Sequence, residues 1–156
     1  MATEPEAARE LQVAVQTFVR SFGLLVTKQT PCGQPVSPSY AHALMLLLER
    51  EAGGLTTTQS ELAAELGLDK SSITRLCARL EADERMTQQR AESDGRSRLL
   101  ALTAPGRRMA TNIQSASLQR FRQVVDALPR TKRRAVLESL ELLTLAVGAL
   151  GEEKQP

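Results

Sequence analysis

Hydrophobic residues recur at helical spacing through most of this chain. Apolar positions three and four residues apart predict amphipathic helices over residues 6–27 and 39–51. The same period predicts two longer helices, over residues 104–128 and 131–150, which Pro129 separates. The last helix is apolar on too many sides for a surface helix of a small monomer. We therefore expect a mainly helical protein that associates with a second copy of itself.

Residues 56–80 have the pattern of two short helices joined by a tight turn. Thr58 and Glu61 have the spacing of a capping box, which begins the first helix. Gly67 stands where that helix should end, since glycine adopts the left-handed conformation without a steric penalty. Asp69 is placed to cap the second helix. This arrangement is typical of a helix-turn-helix.

The second of these helices has one apolar face and one polar face. Its apolar residues recur at i, i+3, i+4 and i+7 and predict a buried stripe. The opposite face is polar and basic, which suits the major groove of DNA, where a helix-turn-helix places this helix. Capped helix pairs also occur in helical proteins that bind no nucleic acid, so that alternative stays open. The candidate DNA-binding residues on this helix are Ser71, Ser72, Thr74, Arg75 and Arg79.

The period changes after the second helix of this pair. Residues 86–90 and 98–102 are predicted strands, and an Asp-Gly turn between them makes a β-hairpin, as in the wing of a winged helix. We expect Arg96 at its tip to enter the minor groove of DNA, with Asp94 fixing its direction through a charge-assisted hydrogen bond. Arg98 is a further candidate contact. The alternative is an ordinary surface hairpin whose ion pair contributes little.

Charge is distributed unevenly along the chain. Residues 1–69 hold 4 basic and 8 acidic side chains, whereas residues 70–134 hold 15 basic and 6 acidic ones, a net charge of +9. Residues 135–156 carry a net charge of −3, so the overall +2 conceals a strongly basic segment that begins at the second helix of the pair. Such a segment is expected of a phosphate-binding surface, although a solvated basic face has the same composition.

Composition narrows the class of protein further. Hydrophobic residues make up 42% of the chain, which is typical of a globular protein. Aromatic residues make up only 3%, which argues against a stacking surface for single-stranded nucleic acid. The N-terminus shows no secretory leader, and no apolar run is long enough to span a membrane. A cytoplasmic protein without a membrane partner is expected.

Two blocks of sequence resemble the MarR family of bacterial transcription regulators. The first is LTTTQSELAAELGLDKSSITRLCARLE, residues 55–81, and the second is DGRSRLLALTAPG, residues 94–106. The resemblance implies a homodimer of winged-helix protomers, usually a repressor, that a small aromatic or phenolic compound releases from double-stranded DNA. The chain departs from the family pattern at Arg85, which we align with a glycine that usually follows the recognition helix.

The resemblance also implies a division of the chain and a place for the effector. Residues 1–38 would be an N-terminal dimerisation helix and loop, residues 39–103 the winged helix-turn-helix domain, and residues 104–156 C-terminal dimerisation helices. The fold expected is mainly α, with a small β-hairpin wing. A two-fold dimer would present two recognition helices about 34–36 Å apart to a palindromic site. The candidate effector pocket comprises Phe22, His42 and Met45.

Other chemistry has little support in the sequence. His42 is the only histidine, and with two distant cysteines it offers no zinc ligand set, so we expect a partly buried histidine and no metal or cofactor. Cys32 lies in a Pro-Cys-Gly loop and supports an alternative reading as a redox sensor, whereas Cys77 lies on the apolar stripe and is predicted to be inert. No catalytic motif is present, so an enzyme is not expected. A protein-interaction module remains a further alternative.

Overall fold

A computed structural model describes residues 3–92 and 97–152 of the chain. These residues form two compact units, Met1–Ser117 and Leu118–Pro156. In chain order the elements are α1 (Glu4–Phe22), α2 (Pro38–Ala52), β1 (Thr57–Thr58), α3 (Gln59–Leu66), α4 (Lys70–Ala82), β2 (Met86–Arg90), β3 (Arg98–Leu102), α5 (Ala104–Ala127), a short 3-10 helix (Arg130–Lys132) and α6 (Arg133–Glu152).

The expected fold class, mainly helical with a small wing, is confirmed. The sheet contains one strand more than the predicted hairpin, because β1 pairs antiparallel with β3 and the strand order is β1-β3-β2. Thr57 lies opposite Leu100 in this pairing and is buried. The wing is therefore anchored to the chain that leads into α3.

The first unit has one hydrophobic core, in which α2, α3, α4, the sheet and the start of α5 meet. The apolar stripe predicted for α4 is buried there. Tyr40 near the start of α2 is also buried, at 2% exposure. The core consists of Tyr40, Ala41, Ala43, Leu44, Leu47, Leu62, Ile73, Leu76, Cys77, Leu80, Met86, Leu100, Leu102, Ala110 and Ile113.

The first helix is shorter than predicted. We expected it to continue to residue 27, but α1 ends at Phe22, because Gly23 takes the left-handed conformation with φ 85°. The backbone N–H of Gly23 donates to the carbonyl of Arg20, and that of Leu24 donates to the carbonyl of Val19. These bonds satisfy the last carbonyl groups of the helix and turn the chain away from its axis.

The chain leaves α4 through a residue in the left-handed conformation. We aligned Arg85 with the glycine of the family pattern, but that register is wrong by one position, because Glu84 is the residue with positive φ, 57°. The turn is closed by two hydrogen bonds, from Glu84 N–H to the carbonyl of Glu81 and from Arg85 N–H to the carbonyl of Leu80. A non-glycine residue in this conformation carries a steric cost of about 1–2 kcal/mol.

One carboxylate joins three elements behind the wing. Glu51 at the end of α2 accepts a hydrogen bond at Oε1 from the backbone N–H of Leu102, over 2.9 Å. Its Oε2 accepts from Arg107 Nε at 3.0 Å and from Arg107 Nη2 at 2.8 Å. The last residue of β3 and the first turn of α5 are thereby fixed to α2.

The remaining helices leave much of their apolar surface exposed. Neither α1 nor α6 buries any described residue. On α6, Leu142 is 67% exposed and Leu145 is 71% exposed. The predicted domain boundaries, at residues 38 and 103, concern dimerisation and stay a prediction.

Candidate nucleic-acid interface

The first turn of α4 is held by Asp69, as the sequence predicts. Asp69 Oδ1 accepts a hydrogen bond from the backbone N–H of Ser72 at 2.7 Å and another from Ser71 Oγ at 2.9 Å. These bonds, the backbone one first, lower the pKa of Asp69 below its usual value. The carboxylate is therefore charged at neutral pH and caps the first turn of α4 through both serines.

The side chains predicted to contact DNA lie on the outer surface of α4. Ser71, Thr74 and Arg75 are exposed, and Ser72 is half-buried. Arg75 Nη2 lies 3.5 Å from Ser72 Oγ, so the guanidinium group folds back along the helix toward its N-terminus. These four residues form one continuous polar face, and its contact with DNA stays a prediction.

Arg79 has a different environment from the other four. Its guanidinium group lies 5.5 Å from the centre of the Tyr40 ring, and its Nε lies 3.9 Å from Asp83 Oδ2. Tyr40 donates a hydrogen bond to the same carboxylate oxygen at 3.0 Å. Burial first, and then this bond, raise the pKa of Tyr40 to about 12. The predicted contact of Arg79 with DNA would compete with these interactions.

The wing lies on the other side of a cleft from α4. The cleft has a volume of about 840 Å³, and its lining includes Thr74 and Lys70 of α4 and Gln88 and Arg98 of the wing. Arg98 is exposed, and it is the one wing residue of our predicted set that the structure describes. The other two, Asp94 and Arg96, lie outside the described residues.

Three residues of this cleft were missed in the sequence analysis. Gln59 at the start of α3 donates from Nε2 to Thr74 Oγ1 at 3.0 Å, which ties α3 to the exposed face of α4. Gln88 donates from its backbone N–H and from Nε2 to Glu81, at 3.2 and 3.1 Å. Lys70 is the first residue of α4. The basic character of Lys70 was visible in the sequence, whereas the glutamine contacts depend on tertiary packing.

A family model matches the segment that contains α2, the helix pair and the first wing strand, β2. Residues 34–97 match the model described as MarR family. This winged domain is a MarR-family domain. Members of this family are transcription regulators and not enzymes. A comparison with curated proteins finds no significant match.

Solved structures share the fold of the MarR-family domain and its flanking helices. S. aureus MepR in complex with DNA is 16% identical, with a TM-score of 0.64 over 94% of this chain and 99% of that chain. NadR in complex with 4-hydroxyphenylacetate is 20% identical, with a TM-score of 0.64 over 92% and 95% of the two chains. PcaV from Streptomyces coelicolor, in complex with its natural ligand, is 22% identical, with a TM-score of 0.58 over 94% and 99%. At these identities the likeness shows the fold.

The predicted effector residues lie on the first two helices of the unit that contains the MarR-family domain. Phe22 stacks on Phe18, with ring centres 5.3 Å apart and an angle of 22° between the planes. Met45 is half-buried and packs against the core. His42 is exposed, so the expectation of a partly buried histidine is wrong. The joint role of Phe22, His42 and Met45 in binding an effector stays a prediction.

The two cysteines differ in environment. Cys77 is fully buried in the core, and this burial, with a smaller contribution from Glu81, raises the pKa of its thiol to about 11. Cys32 is half-buried, and its Sγ lies 3.0 Å from Oγ1 of the buried Thr30. Cys77 is therefore protonated at neutral pH, as expected of a packing residue. Oxidation sensing by Cys32 stays a prediction.

Neither a metal-binding cluster nor a membrane span is present among the described residues. Within residues 3–92 and 97–152, no three His, Cys, Asp or Glu side chains come together as a metal-binding group would require. None of the described helices is both long and apolar enough to cross a membrane.

Proposed function

We propose that this protein is a homodimeric repressor that binds a palindromic site on double-stranded DNA and is released by a small aromatic or phenolic ligand. The observation that carries the proposal is the exposed polar face of α4, which Asp69 fixes at its first turn. Ser71, Thr74 and Arg75 would reach base edges in the major groove from this face. The proposed place of action is the cytoplasm.

The charge distribution supports binding to DNA. The segment of residues 70–134, which begins at the first residue of α4, carries a net charge of +9. Lys70 and Arg98 line the cleft between α4 and the wing. Neutralising several phosphate groups makes DNA binding steeply dependent on salt, which a contact with another protein need not be.

The exposed apolar residues support the dimer. Exposed large apolar side chains on a small protein mark an interaction surface. A second copy of the chain is the partner that would bring two recognition helices to a two-fold site. The exposed residues on the predicted dimerisation helices are Leu11, Val13, Val15 and Phe18 on α1, Leu118, Phe121 and Val125 on α5, and Leu137, Leu140, Leu142, Leu145, Val147 and Leu150 on α6.

Two observations support a ligand that relieves repression. NadR was solved with 4-hydroxyphenylacetate and PcaV with its natural ligand, and both share this fold. His42 is exposed and Met45 is half-buried on α2, so a polar and an apolar side chain are both accessible from one helix. These are the contacts that a phenolic compound would need.

The experiment that tests DNA binding starts from a library of random duplexes. The purified protein should select a palindromic sequence, and fluorescence anisotropy across a salt series should show steep weakening of that complex. Arg75→Ala should cost about 1–3 kcal/mol at one base position if Arg75 reads a base edge. Arg75→Lys is the matched control, since it keeps the charge and removes the bidentate geometry of the guanidinium group.

The outcomes of this experiment separate DNA binding by the protein from base recognition by Arg75. Selection of one sequence by the parent, with both Arg75 variants less selective at one position, supports the regulator and the role of this arginine. Variants that bind like the parent would show that Arg75 does not read a base. A parent that selects no sequence and binds duplexes without salt dependence would overturn DNA binding and favour the protein-interaction module.

A further inference from the structure

Two arginines lie opposite each other at the outer end of the described part of the wing. Arg90 is the last residue of β2 and Arg98 is the first residue of β3, and the strand register pairs them directly. Both are exposed. Within residues 3–92 and 97–152, no ion pair joins either arginine to an acidic residue. Like charges directly opposite in an antiparallel ladder destabilise the free protein.

Both arginines belong to the inner face of the sheet. Side chains alternate between the two faces of a strand, and Met86, Leu100 and Leu102 are buried in the core on the inner face. Arg90 follows Met86 at an even spacing, and Arg98 precedes Leu100 by two residues. The inner face of the sheet therefore ends in two guanidinium groups where the core ends.

The inner face at this point borders the cleft beside α4. Arg98 lines that cleft together with Lys70 of α4. The acidic side chain in the cleft, Glu81, already accepts two hydrogen bonds from Gln88. The carboxylate of the cleft is thus held by an amide, whereas Arg98 lines the cleft without a described counter-ion and Arg90 lies directly opposite it on β2.

We propose that Arg90 and Arg98 together bind one phosphate group of the DNA backbone, as a two-armed clamp at the outer end of the described wing, beside the cleft. The clamp rests on the proposed function and adds Arg90 to its contacts. A phosphate between the two guanidinium groups replaces their repulsion with charge-assisted hydrogen bonds. A backbone contact of this kind fixes the position of the protein on the duplex without reading the sequence.

The clamp has a signature that a structural role lacks. Arg90→Gln removes the like-charge repulsion, so the thermal midpoint of the free protein should rise while its affinity for DNA falls. A side chain that served only to support the wing would lower both quantities when replaced. Arg98→Gln should behave in the same way.

The test uses anisotropy on the duplex that the parent selects, in a salt series, and thermal unfolding without DNA. Each single variant should weaken binding about tenfold. This loss should be alike for all duplex sequences, with a salt slope shallower by about one for each bound protomer. The double variant should bind about as weakly as either single variant, because both arginines hold one phosphate.

The matched control exchanges two neighbouring residues of β2. The double substitution Gln89→Arg and Arg90→Gln keeps the net charge and moves the guanidinium group to the outer face of the same strand. This protein should bind as weakly as Arg90→Gln, because the clamp needs a guanidinium group at position 90. General charge attraction is the same as in the parent and should not restore the affinity.

Three outcomes would overturn the clamp while leaving the proposed function intact. The first is an unchanged DNA affinity in Arg90→Gln. The second is a loss of affinity in the double variant that equals the product of the two single losses. The third is an affinity in the exchange variant that equals that of the parent. A parent that binds no duplex would overturn the proposed function itself, and the clamp with it.

Discussion

Gly106 and Arg85 approach so closely that a side chain at Gly106 has no room. A Cβ atom added at Gly106 would lie 1.8 Å from the carbonyl oxygen of Arg85 and 2.7 Å from its carbonyl carbon. The contact joins the first turn of α5 to the chain that enters the wing. Thr103 reinforces it, because its N–H donates to the carbonyl of Arg85 and its Oγ1 donates to the carbonyl of Glu84.

Replacing this glycine should therefore destabilise the first unit. We expect Gly106→Ala to lower the free energy of unfolding by about 2–4 kcal/mol, since backbone atoms on both sides must move. Gly148→Ala is the control, because a Cβ there meets nothing within 4 Å and alanine is the better helix former. Urea unfolding of both variants measures the difference, and a Gly106→Ala protein as stable as the parent would contradict the close contact.

The left-handed residue after α4 predicts a substitution that increases the stability of the protein. Glu84→Gly should stabilise the protein by about 1 kcal/mol, because glycine adopts φ 57° without the steric cost that glutamate carries. Ala82→Gly, two residues earlier and still helical, should destabilise by a similar amount. Thermal unfolding of both variants measures the effect. A lower midpoint in Glu84→Gly would refute the left-handed conformation of Glu84.

The charged cap of α4 predicts a pH dependence. Hydrogen bonds from Ser72 and Ser71 lower the pKa of Asp69 in the folded protein, so its contribution to stability is present above the unfolded pKa and is lost as the pH falls through the folded pKa. Asp69→Asn keeps a cap acceptor without the charge. The parent should be more stable than this variant at pH 7, and the difference should shrink below pH about 4. A difference that stayed constant down to pH 2 would assign the effect to something other than this charge.

The exposed leucines of α6 predict the oligomeric state. Leu140→Lys should shift the protein from dimer to monomer, since a charge replaces an apolar contact in the proposed interface, and operator affinity should fall with it. Glu141→Lys, at the next position on the same helix, should leave the dimer intact. Sedimentation velocity over a range of concentrations measures both, and a parent that sediments as a monomer would remove the basis for a dimer.

Cys32 separates ligand release from redox release. The proposed function predicts that peroxide leaves DNA binding unchanged in the parent protein and in Cys32→Ser alike. Anisotropy before and after peroxide treatment, followed by dithiothreitol, measures this. Reversible loss of binding in the parent alone would establish the redox alternative, because only that reading requires the thiol.

The local signals in the sequence were read correctly where a few neighbouring residues decide the structure. Thr58 and Glu61 form the predicted capping box, Gly67 ends α3 in the left-handed conformation, and Asp69 caps α4. Each depends on side chains within three residues of a helix end. The helix-turn-helix could therefore be predicted almost to the residue.

The features that were missed depend on contacts between distant parts of the chain. β1 contains only two residues and exists because β3 lies beside it, so it has no period of its own. The register of Glu84 and Arg85 is set by hydrogen bonds to the last turn of α4, which the family pattern did not fix. Gln59 and Gln88 gained their place in the cleft from packing between elements.

The hydrogen bonds of Glu51 couple the wing mechanically to the first turn of α5. Because one carboxylate holds the amide of Leu102 and the guanidinium group of Arg107, neither can rotate about the other while these bonds last. A bend in α5 that leaves these bonds intact must therefore occur C-terminal to Arg107. A rotation of that first turn would therefore also move β2 and β3, and with them Arg90 and Arg98.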